Sequence, residues 1–425
     1  MTGNRRVPPT TKSGDDVRMR GFARRHTVSA ALAWLDAQLQ PLQAETVPLR
    51  DAAQRVLATP VISCVDVPGF DRATMDGYAV VAASTEGATA YTPLPLTVVG
   101  QAMPGCPFEG TVSFGQTVRI MTGAPMPAGT DAVLPAEFAG ADDPIQIHAL
   151  SAVSPGKNLG QRGEDIVRGT ALFDAGRVLR PQDLGVLSSV GQADVQVVRR
   201  PRVRLVVTGN ELLPAGSRPH GFHIADANGP MLAALIERDG GIADFPCLVR
   251  DDRDAIEEAL HADADIVLVS GGSSVGVEDL APMLVAQYGE LAVHGIAMRP
   301  SSPTGLGRIG SRIIVLLPGN PVSSLCAYDF FAGRAIRALG GRNLGGRNKD
   351  WPYRSIRAKL NRKISSPIGR LDYVRVKMID GMVDPLAVGG ASILSSTTRA
   401  DGFVIVGDDS EGFPAGAEVQ VWMYD

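Results

Sequence analysis

The sequence predicts a multidomain α/β plus β protein whose central unit is a doubly wound parallel sheet. Three observations carry this prediction. Residues 200–345 alternate between short apolar runs typical of buried strands and longer stretches typical of helices. The segments 61–149 and 350–425 consist instead of short strands separated by proline and glycine. At 425 residues the chain is also too long for a single hydrophobic core.

Composition excludes several functional classes. Hydrophobic residues make up 44% and charged residues 20% of the chain, and the net charge of −4 provides no basic field for nucleic acid. No apolar run reaches the ~20 residues of a membrane helix, and none follows Arg5-Arg6 as a signal peptide requires. The cysteines are scattered without metal-ligand spacing, which predicts reduced thiols in a cytoplasmic protein.

The first sixty residues predict a tail followed by helices. Residues 1–20 are polar and basic, as in a disordered tail. Thr27 is a typical N-cap for an amphipathic helix that continues to about Leu39. A second short helix is expected over residues 49–57. None of these segments carries evident chemistry, which favours a linking or dimerising role.

Residues 61–149 predict a β-rich domain inserted into that linking unit, because residues 150–199 return to mixed strand and helix character. Two polar turns stand out in the inserted segment, one at Asp76-Gly77 and one at Thr122-Gly123. Acids beside glycine are usually turn formers, so each turn alone favours structure over function. The charged loop after Gly160 contains Asp165, and its arginine neighbour could form an ordinary surface ion pair.

Polar clusters follow four predicted strands of the α/β unit. The strand at 266–270 ends in a Gly/Ser turn ahead of a predicted helix, an arrangement that directs backbone N–H groups at an anion. The plain alternative is a βα turn that needs glycine for a positive φ. Carboxyl ends of parallel strands share one edge, so the clusters together predict a ligand site. They are Thr208-Gly209-Asn210-Glu211, Arg250-Asp251-Asp252, Gly271 to Ser274, and Leu317-Pro318-Gly319-Asn320-Pro321.

Seven motifs occur in a defined order from about residue 21 to the C-terminus: DVPGFDRATMDGYAV, IMTGAP, RGEDI, VVTGNEL, the SGG-x-S-VG turn, LPGNPVSS and GRLDYVRV. In this set the chain resembles the molybdopterin molybdenumtransferases of the MoeA and gephyrin E-domain type. The resemblance implies a discontinuous linking domain (21–60 and 150–199), an inserted β-domain (61–149), an α/β domain like the molybdopterin adenylyltransferases (200–345) and a C-terminal β-barrel (350–425). It also implies a homodimer whose active site is shared between subunits.

The implied reaction inserts molybdenum from molybdate into adenylylated molybdopterin, hydrolyses the adenylate and releases AMP, with Mg²⁺ as cofactor. Implied partners are a molybdopterin adenylyltransferase and recipient molybdoenzymes. The resemblance assigns catalytic roles to Asp76, Thr122, Asp165 and Glu211, and Mg²⁺ to Glu211, Asp251 and Asp279, with Asp226 as a further carboxylate. Contacts to molybdopterin or its adenylate are assigned to Thr208, Gly209, Asp226, Asn228, Asp251, Gly271, Gly272, Ser274, Pro318, Gly319, Asn320 and Pro321. Molybdate is assigned to Arg299, Ser302, Ser323, Arg370, Arg375 and Ser395.

The chain departs from the family pattern in a loop that usually reads IKPGKP. Here Arg299 keeps the first positive charge, whereas Ser302 replaces the second lysine. A charge-assisted hydrogen bond is stronger than a neutral one by enough to predict about tenfold weaker oxyanion binding. Arg370, Arg375 or Ser395 could compensate. Further departures are Ser273 for valine and Val277 for an acid, the latter a possible loss of a metal or water contact.

These departures leave three functions open. The first is a working molybdenum insertase with altered oxyanion affinity. The second is a paralogue that binds or carries molybdopterin or its adenylate without turnover, and therefore releases no AMP in response to molybdate. The third is a scaffold that clusters a partner protein, for which only the short basic tail offers a docking segment.

Overall fold

The computed structural model describes residues 25–140, 143–271, 280–342, 351–387 and 392–424, so the predicted tail over residues 1–20 lies outside the described residues. Thr27 accepts a hydrogen bond from the N–H of Ala30 at 3.1 Å and begins the expected helix, Val28–Gln38. This helix buries Val28, Ala31 and Leu35 in the same core as strands of the α/β unit. The first helix is therefore packed on the sheet domain.

The linking unit joins two distant stretches of chain. Strand Ala44–Pro48 pairs antiparallel with Asp194–Val198, and Val61–Ile62 pairs with Ala171–Phe173. A helix, Pro181–Ser189, covers these pairs through the buried side chain of Leu187. The pairings show why residues before and after the inserted segment fold together.

The expected helix over residues 49–57 is wrong. Only Leu49–Asp51 forms a short 3-10 helix. Val56 and Leu57 instead form β-bridges to Val178 and Val197, which bury them in the linking core. Tertiary pairing thus overrides the local helical pattern.

The inserted domain is a six-stranded sheet with two 3-10 turns. Its strands, in spatial order, are Ala132–Pro135, Gly77–Val80, Gln116–Ile120, Leu94–Ala102, Gln146–Ala149 and Ala139–Gly140. The 3-10 turns are Ala82–Thr85 and Ala136–Phe138. Strand Arg72–Ala73 lies outside this sheet and pairs with Leu159–Gly160, joining the domain to the linking segment.

The α/β domain confirms the doubly wound architecture. Its six strands, in spatial order, are Ile242–Val249, Arg202–Thr208, Ile266–Ser270, Arg312–Leu317, Gly305–Ile309 and Glu290–His294. Leu268 belongs to one hydrophobic core and Val267 and Val269 to another, so the central strand is buried on both faces. The helices are Asn228–Arg238, Arg253–Leu260, Leu280–Tyr288, Pro321–Ala327 and Gly333–Leu339, the last two joined by a π-helical turn, Tyr328–Ala332. A small parallel pair, Leu212–Leu213 with Ile224–Ala225, lies beyond the sheet.

The sheet is parallel only over its first four strands. Gly305–Ile309, which was not predicted, runs antiparallel to Arg312–Leu317 and to Glu290–His294. Its glycines resemble turn signals, but a Cβ at Gly307 would lie 2.3 Å from the carbonyl oxygen of Glu290. Glycine is present there because two strands approach closely.

The C-terminal domain is a small barrel. Strand Leu371–Ile379 pairs with Met382–Ala387 and with Gly402–Val406, and the ring continues through Glu418–Met423 to Arg354–Lys359. A bridge between Leu360 and Val383 closes it. Strands Ile364–Ser365 and Gly412–Phe413 and the short helix Ser395–Thr398 complete the domain. The two-residue strand Met298–Arg299 of the preceding domain also pairs with Leu371 and Asp372.

A buried charge network joins the α/β and C-terminal domains. The side chains of Asp239 and Asp329 are 0% exposed. Asp329 accepts a hydrogen bond from Tyr353 at 2.9 Å, and Arg238 contacts both carboxylates, at 2.9 Å and 3.3 Å. Burial raises the pKa of Asp329 to about 6, partly opposed by the charge of Arg238.

Within the described residues, no helix has the length and apolar character to cross a bilayer.

We expect Asp329 to make stability fall as pH rises from 4 to 6. Unfolded, this carboxyl titrates near 3.8, whereas the folded carboxyl titrates near 6, so unfolding in this window releases a proton. The free energy of unfolding should then fall by roughly 1.4 kcal/mol per pH unit from this group alone. Asp329→Asn removes the contribution. Urea unfolding of both proteins at several pH values tests it; equal pH slopes between 4 and 6 would contradict the assignment.

Candidate functional site

Three parallel strands bring their polar ends together at one edge of the sheet. The amide nitrogen of Asn228 donates to Ser270 Oγ at 2.9 Å and to the carbonyl oxygen of Gly319 at 2.8 Å. The N–H of Gly271 donates to the carbonyl oxygen of Leu317 at 3.2 Å. Hydrogen bonds therefore connect Asn228 to two motifs that are both predicted to bind substrate.

Gly271 occupies a position where any other residue would displace the neighbouring backbone. Its φ is +99°, and a Cβ would lie 2.2 Å from the carbonyl oxygen of Thr208. The hydroxyl of Thr208 in turn donates to a carboxylate oxygen of Asp251. The strand end thus requires glycine both for its backbone conformation and for close approach to the neighbouring strand.

The predicted acids of this edge have distinct environments. Asp226 accepts a hydrogen bond from the N–H of Gly229 at 2.9 Å in the first turn of its helix. Asp251 also accepts from the N–H of Asn210 at 3.3 Å, and Glu211 is exposed. Within the described residues, no three His, Cys, Asp or Glu side chains gather as metal ligands. Mg²⁺ commonly takes one or two carboxylates together with substrate phosphate oxygens, so Glu211 and Asp251 fit a site completed by substrate.

The predicted residues Gly272, Ser274 and Asp279, and the departures Ser273 and Val277, lie outside the described residues. Of the other residues assigned to this edge, Pro318 precedes Gly319, and Asn320 is the N-cap of the helix that Pro321 begins. Gly209 follows Thr208 directly, and a Cβ there would meet the carboxylate of Glu211.

Five of the six residues predicted to bind molybdate line one cleft of about 400 Å³. We call it the Arg299 cleft. It lies between the α/β domain and the C-terminal barrel, and its walls include Arg299, Ser302, Ser323, Arg370 and Arg375, with Pro318 and Asn320 from the predicted substrate site. Ser395 is exposed on its short helix and is not among the residues that line this cleft.

The loop that carries Arg299 is fixed by hydrogen bonds. Ser301 has a φ of +86° and donates through its hydroxyl to the carbonyl oxygen of Ser323 at 2.5 Å. Thr304 donates through its hydroxyl to the carbonyl oxygen of Ser301 at 2.8 Å. The Oγ of Ser302 is buried and has no hydrogen-bond partner among the described residues. Ser301 stands where the family pattern has glycine, the residue that a positive φ favours.

The charges around the Arg299 cleft are not equally available. The guanidinium of Arg370 makes a two-pronged contact with Asp372, at 2.8 Å and 3.3 Å. Its charge is therefore already balanced. The side chain of Arg375 is buried, and burial lowers its pKa while the neighbouring Tyr424 and Tyr373 raise it. The paired charge of Arg370 makes it a weak candidate for replacing the missing lysine.

Outside the 297–303 loop, two residues that line the Arg299 cleft were not predicted. Tyr373 lies on the same strand as Arg375, two positions earlier, and its hydroxyl is 2.7 Å from that of Tyr424. Because alternate residues of a strand share one face, this spacing could have identified it. Arg25 also lines the cleft but belongs to no motif, so no sequence signal could have found it.

Asp76 and Thr122 form a pair on the inserted domain. Asp76 accepts hydrogen bonds from the N–H and from the hydroxyl of Thr122, both at 2.7 Å. These two donors hold the pKa of Asp76 below its usual value, so the exposed carboxylate stays ionised at neutral pH and serves as an acceptor. The following residue is glycine because a Cβ at Gly77 would lie 2.0 Å from the carbonyl oxygen of Leu134.

The other acids of this region organise a loop. Asp66 accepts from Arg162 Nε at 2.7 Å, and Asp71 accepts from the N–H of Arg162 at 2.8 Å. The N–H of Arg168 and then the Arg162 side chain lower the pKa of Asp66. Asp165 is exposed, and its N–H donates to the carbonyl oxygen of Val67 at 3.0 Å. Asp66 and Asp71 therefore shape the loop that presents Asp165.

Comparisons with known proteins cover nearly the whole chain. The MoeA N-terminal region (domain I and II) matches residues 26–191, a probable molybdopterin binding domain matches 204–338, and the MoeA C-terminal region (domain IV) matches 357–424.

Several similar proteins are named as molybdopterin molybdenumtransferases or molybdopterin biosynthesis proteins. Molybdopterin molybdenumtransferase 2 of Mycobacterium tuberculosis is 34% identical over 89% of this chain and 94% of its own length. Molybdopterin molybdenumtransferase of Haemophilus influenzae is 31% identical over 90% and 94%. The crystal structure of a molybdopterin biosynthesis MoeA protein from Pyrococcus horikoshii superposes with a TM-score of 0.79 at 31% identity, covering 95% of this chain and all of that one. The chain belongs to the MoeA family of molybdenum cofactor biosynthesis proteins.

Proposed function

We propose that the protein inserts molybdenum from molybdate into adenylylated molybdopterin and hydrolyses the adenylate, releasing AMP. The observation that carries the proposal is the Arg299 cleft, where arginines from two domains meet beside Pro318 and Asn320. Guanidinium groups bind tetrahedral oxyanions with several directed donors. The cleft thereby supplies an oxyanion site next to the strand ends that would hold the pterin substrate.

In this proposal the sheet edge holds the substrate and the acids serve its hydrolysis. Thr208, Asn228 and Gly271 contact the substrate in this proposal, and Asp76 orients the attacking water. Glu211 and Asp251 would hold Mg²⁺, together with Asp279. When bound, the cation supplies positive charge against the phosphate oxygens.

Assembly and location are part of the same proposal. Within the described residues, the hydrogen bonds of Asp76 and Thr122 all stay inside the inserted domain. A partner subunit would bring this pair to the sheet edge, so we propose a homodimer with a shared site in the cytoplasm. A molybdopterin adenylyltransferase would deliver the substrate and molybdoenzymes would receive the product. We also propose the boundaries that the sequence analysis gives for the four domains.

A carrier without turnover is the second candidate. Two observations favour it: Ser302 contributes a neutral hydroxyl where the family has lysine, and Asp372 balances the charge of Arg370. Both reduce the positive charge that faces an oxyanion. Such a protein would bind the adenylate tightly and leave it intact.

AMP release separates the two functions. Purified protein is mixed with adenylylated molybdopterin and Mg²⁺, with and without molybdate, and AMP is followed by chromatography. Release that depends on molybdate supports the insertase. Tight binding of the adenylate with no release at any molybdate concentration excludes the insertase and supports the carrier.

Ser302→Lys should lower the molybdate concentration needed for half-maximal AMP release about tenfold, because it restores a charge-assisted contact in the Arg299 cleft. Ser311→Lys, which adds the same charge at an exposed residue outside the cleft, is the control. If both variants lower the required molybdate concentration equally, the cause is long-range electrostatic attraction. In that case Ser302 does not contact the oxyanion.

A further inference from the structure

A second cleft, here called the Arg200 cleft, lies at the opposite edge of the central sheet from Gly271. Arg200 precedes strand Arg202–Thr208 and Gly240 precedes Ile242–Val249, so both lie at the amino ends of parallel strands. The cleft has a volume of about 130 Å³ and is bounded by the linking unit on one side and the α/β domain on the other. Its polar walls include Gln54, Arg55, Arg200, Glu237 and Arg342.

The two guanidiniums of the α/β side bind only neutral partners. Arg200 donates through Nε to the carbonyl oxygen of Gly240 at 3.1 Å and also to that of Gly241. Arg342 donates to the carbonyl oxygens of Arg238 at 3.1 Å and Gln54 at 3.5 Å. In the part of the chain that the structure describes, neither forms an ion pair with a carboxylate. Their positive charge is therefore opposed only at longer range, by Glu237 and Asp239 of the cleft wall.

Helix capping explains part of this arrangement. The helix Asn228–Arg238 ends at the cleft, and its exposed carbonyl groups would repel an anion. Those of Glu237 and Arg238 already accept hydrogen bonds, from the N–H of Gly240 at 3.0 Å and from Arg342 at 3.1 Å. A guanidinium has five N–H groups, and the bonds described above use two on each arginine. Donors therefore remain for a ligand.

Electrostatics in the cleft favour an added negative charge. Burial lowers the pKa of Arg200, and the charge of Arg55 lowers it further, with partial opposition from Glu237. Burial likewise lowers the pKa of Arg342; the charge of Asp239 opposes this effect, and the charges of Arg337 and Arg200 add to it. Two partly desolvated cations that repel one another gain from an anion held between them.

We propose that the Arg200 cleft binds a small tetrahedral oxyanion of the phosphate class between the linking unit and the α/β domain. The ligand contacts Arg200 and Arg342 of the α/β domain and Arg55 of the linking unit. Its binding therefore stabilises the contact between these two units, and more so as more of the sites are occupied. The site is separate from the proposed reaction and does not depend on it. Its ligand is either free inorganic phosphate or the 5′-phosphate of a nucleotide.

Isothermal titration of the full-length protein with inorganic phosphate tests the site. Arg200→Gln and Arg342→Gln should each weaken phosphate binding about tenfold or more, because each removes a charge-assisted contact. Arg202→Gln, which changes a half-exposed arginine paired with Asp263, is the matched control and should bind normally. Competition by AMP identifies the nucleotide phosphate as a ligand, and its absence identifies the free anion.

A gain-of-affinity variant guards against misfolding, since Arg342 also caps the helix Asn228–Arg238 and Arg200 also bonds the turn that follows it. Glu237→Gln removes an exposed negative charge from the cleft wall and leaves the caps intact, so phosphate should bind about twofold to threefold more tightly. Equal phosphate affinity in the unmodified protein, Arg200→Gln and Glu237→Gln overturns the proposal. So does the absence of binding at about 10 mM phosphate, the weak end of specific affinity.

Discussion

Gly271→Ala is expected to reduce AMP release by about 100-fold, since misplacement of a reactive group by ~1 Å costs that much. The added Cβ would lie 2.2 Å from the carbonyl oxygen of Thr208, at a φ of +99°. Because the obstacle is backbone, two strand ends must separate. Thr208 and its partner Asp251 then move away from the substrate.

Gly310→Ala is the matched control for this substitution. Gly310 lies in the same domain, has a φ of +60°, and no atom lies within 4 Å of its Cβ position. It should lose only the ~1 kcal/mol that a positive φ costs alanine, with AMP release unchanged. Steady-state release and urea unfolding of both variants are the measurements. Similar losses of activity in the two variants would falsify the close-approach explanation.

Asp239→Ala is expected to cost 3–5 kcal/mol of stability, roughly the cost of removing one partner from a buried ion pair. Arg238 and Arg337 contact the Asp239 carboxylate at 2.9 Å and 3.0 Å, and Tyr328 donates to it at 3.0 Å. The side chain of Arg337 is only 5% exposed. Removing the carboxylate leaves a buried cation that water cannot reach.

Glu290→Ala provides the comparison for Asp239→Ala. Glu290 contacts Arg308 at 2.8 Å, a similar distance, but the two side chains are 46% and 52% exposed. Solvent screens this pair, so its loss should cost at most ~1 kcal/mol. Chemical denaturation of the three proteins at one pH measures the difference. A loss for Asp239→Ala no greater than for Glu290→Ala would mean that the buried network relaxes or admits water.

Elements that follow from a local sequence pattern could be predicted, whereas elements that depend on tertiary contacts could not. Strand Ile266–Ser270 was predicted with its observed bounds, because its continuous apolar run matches a strand that is buried on both faces. Strand Gly305–Ile309 was missed because its glycines are required by a neighbouring strand that no local pattern reveals. The 49–57 segment was misassigned because its partners lie more than a hundred residues away.

The candidate site shows the same division. Motif positions predicted that Arg299, Arg370 and Arg375 would serve one ligand, and the structure places all three around one cleft. Motifs could not reveal that Asp372 balances the charge of Arg370, because pairing depends on side-chain geometry. The roles assigned to these residues stay predictions until turnover is measured.

The strand Met298–Arg299 limits how this protein can be divided. These residues precede the helix that completes the α/β domain, yet they pair with Leu371 and Asp372 as a strand of the C-terminal sheet. A chimera joined between residues 342 and 351 would set Arg299 from one parent against Arg370 and Arg375 from another. Exchange of the C-terminal barrel among relatives should therefore preserve the cleft only when the 297–303 loop is exchanged with it.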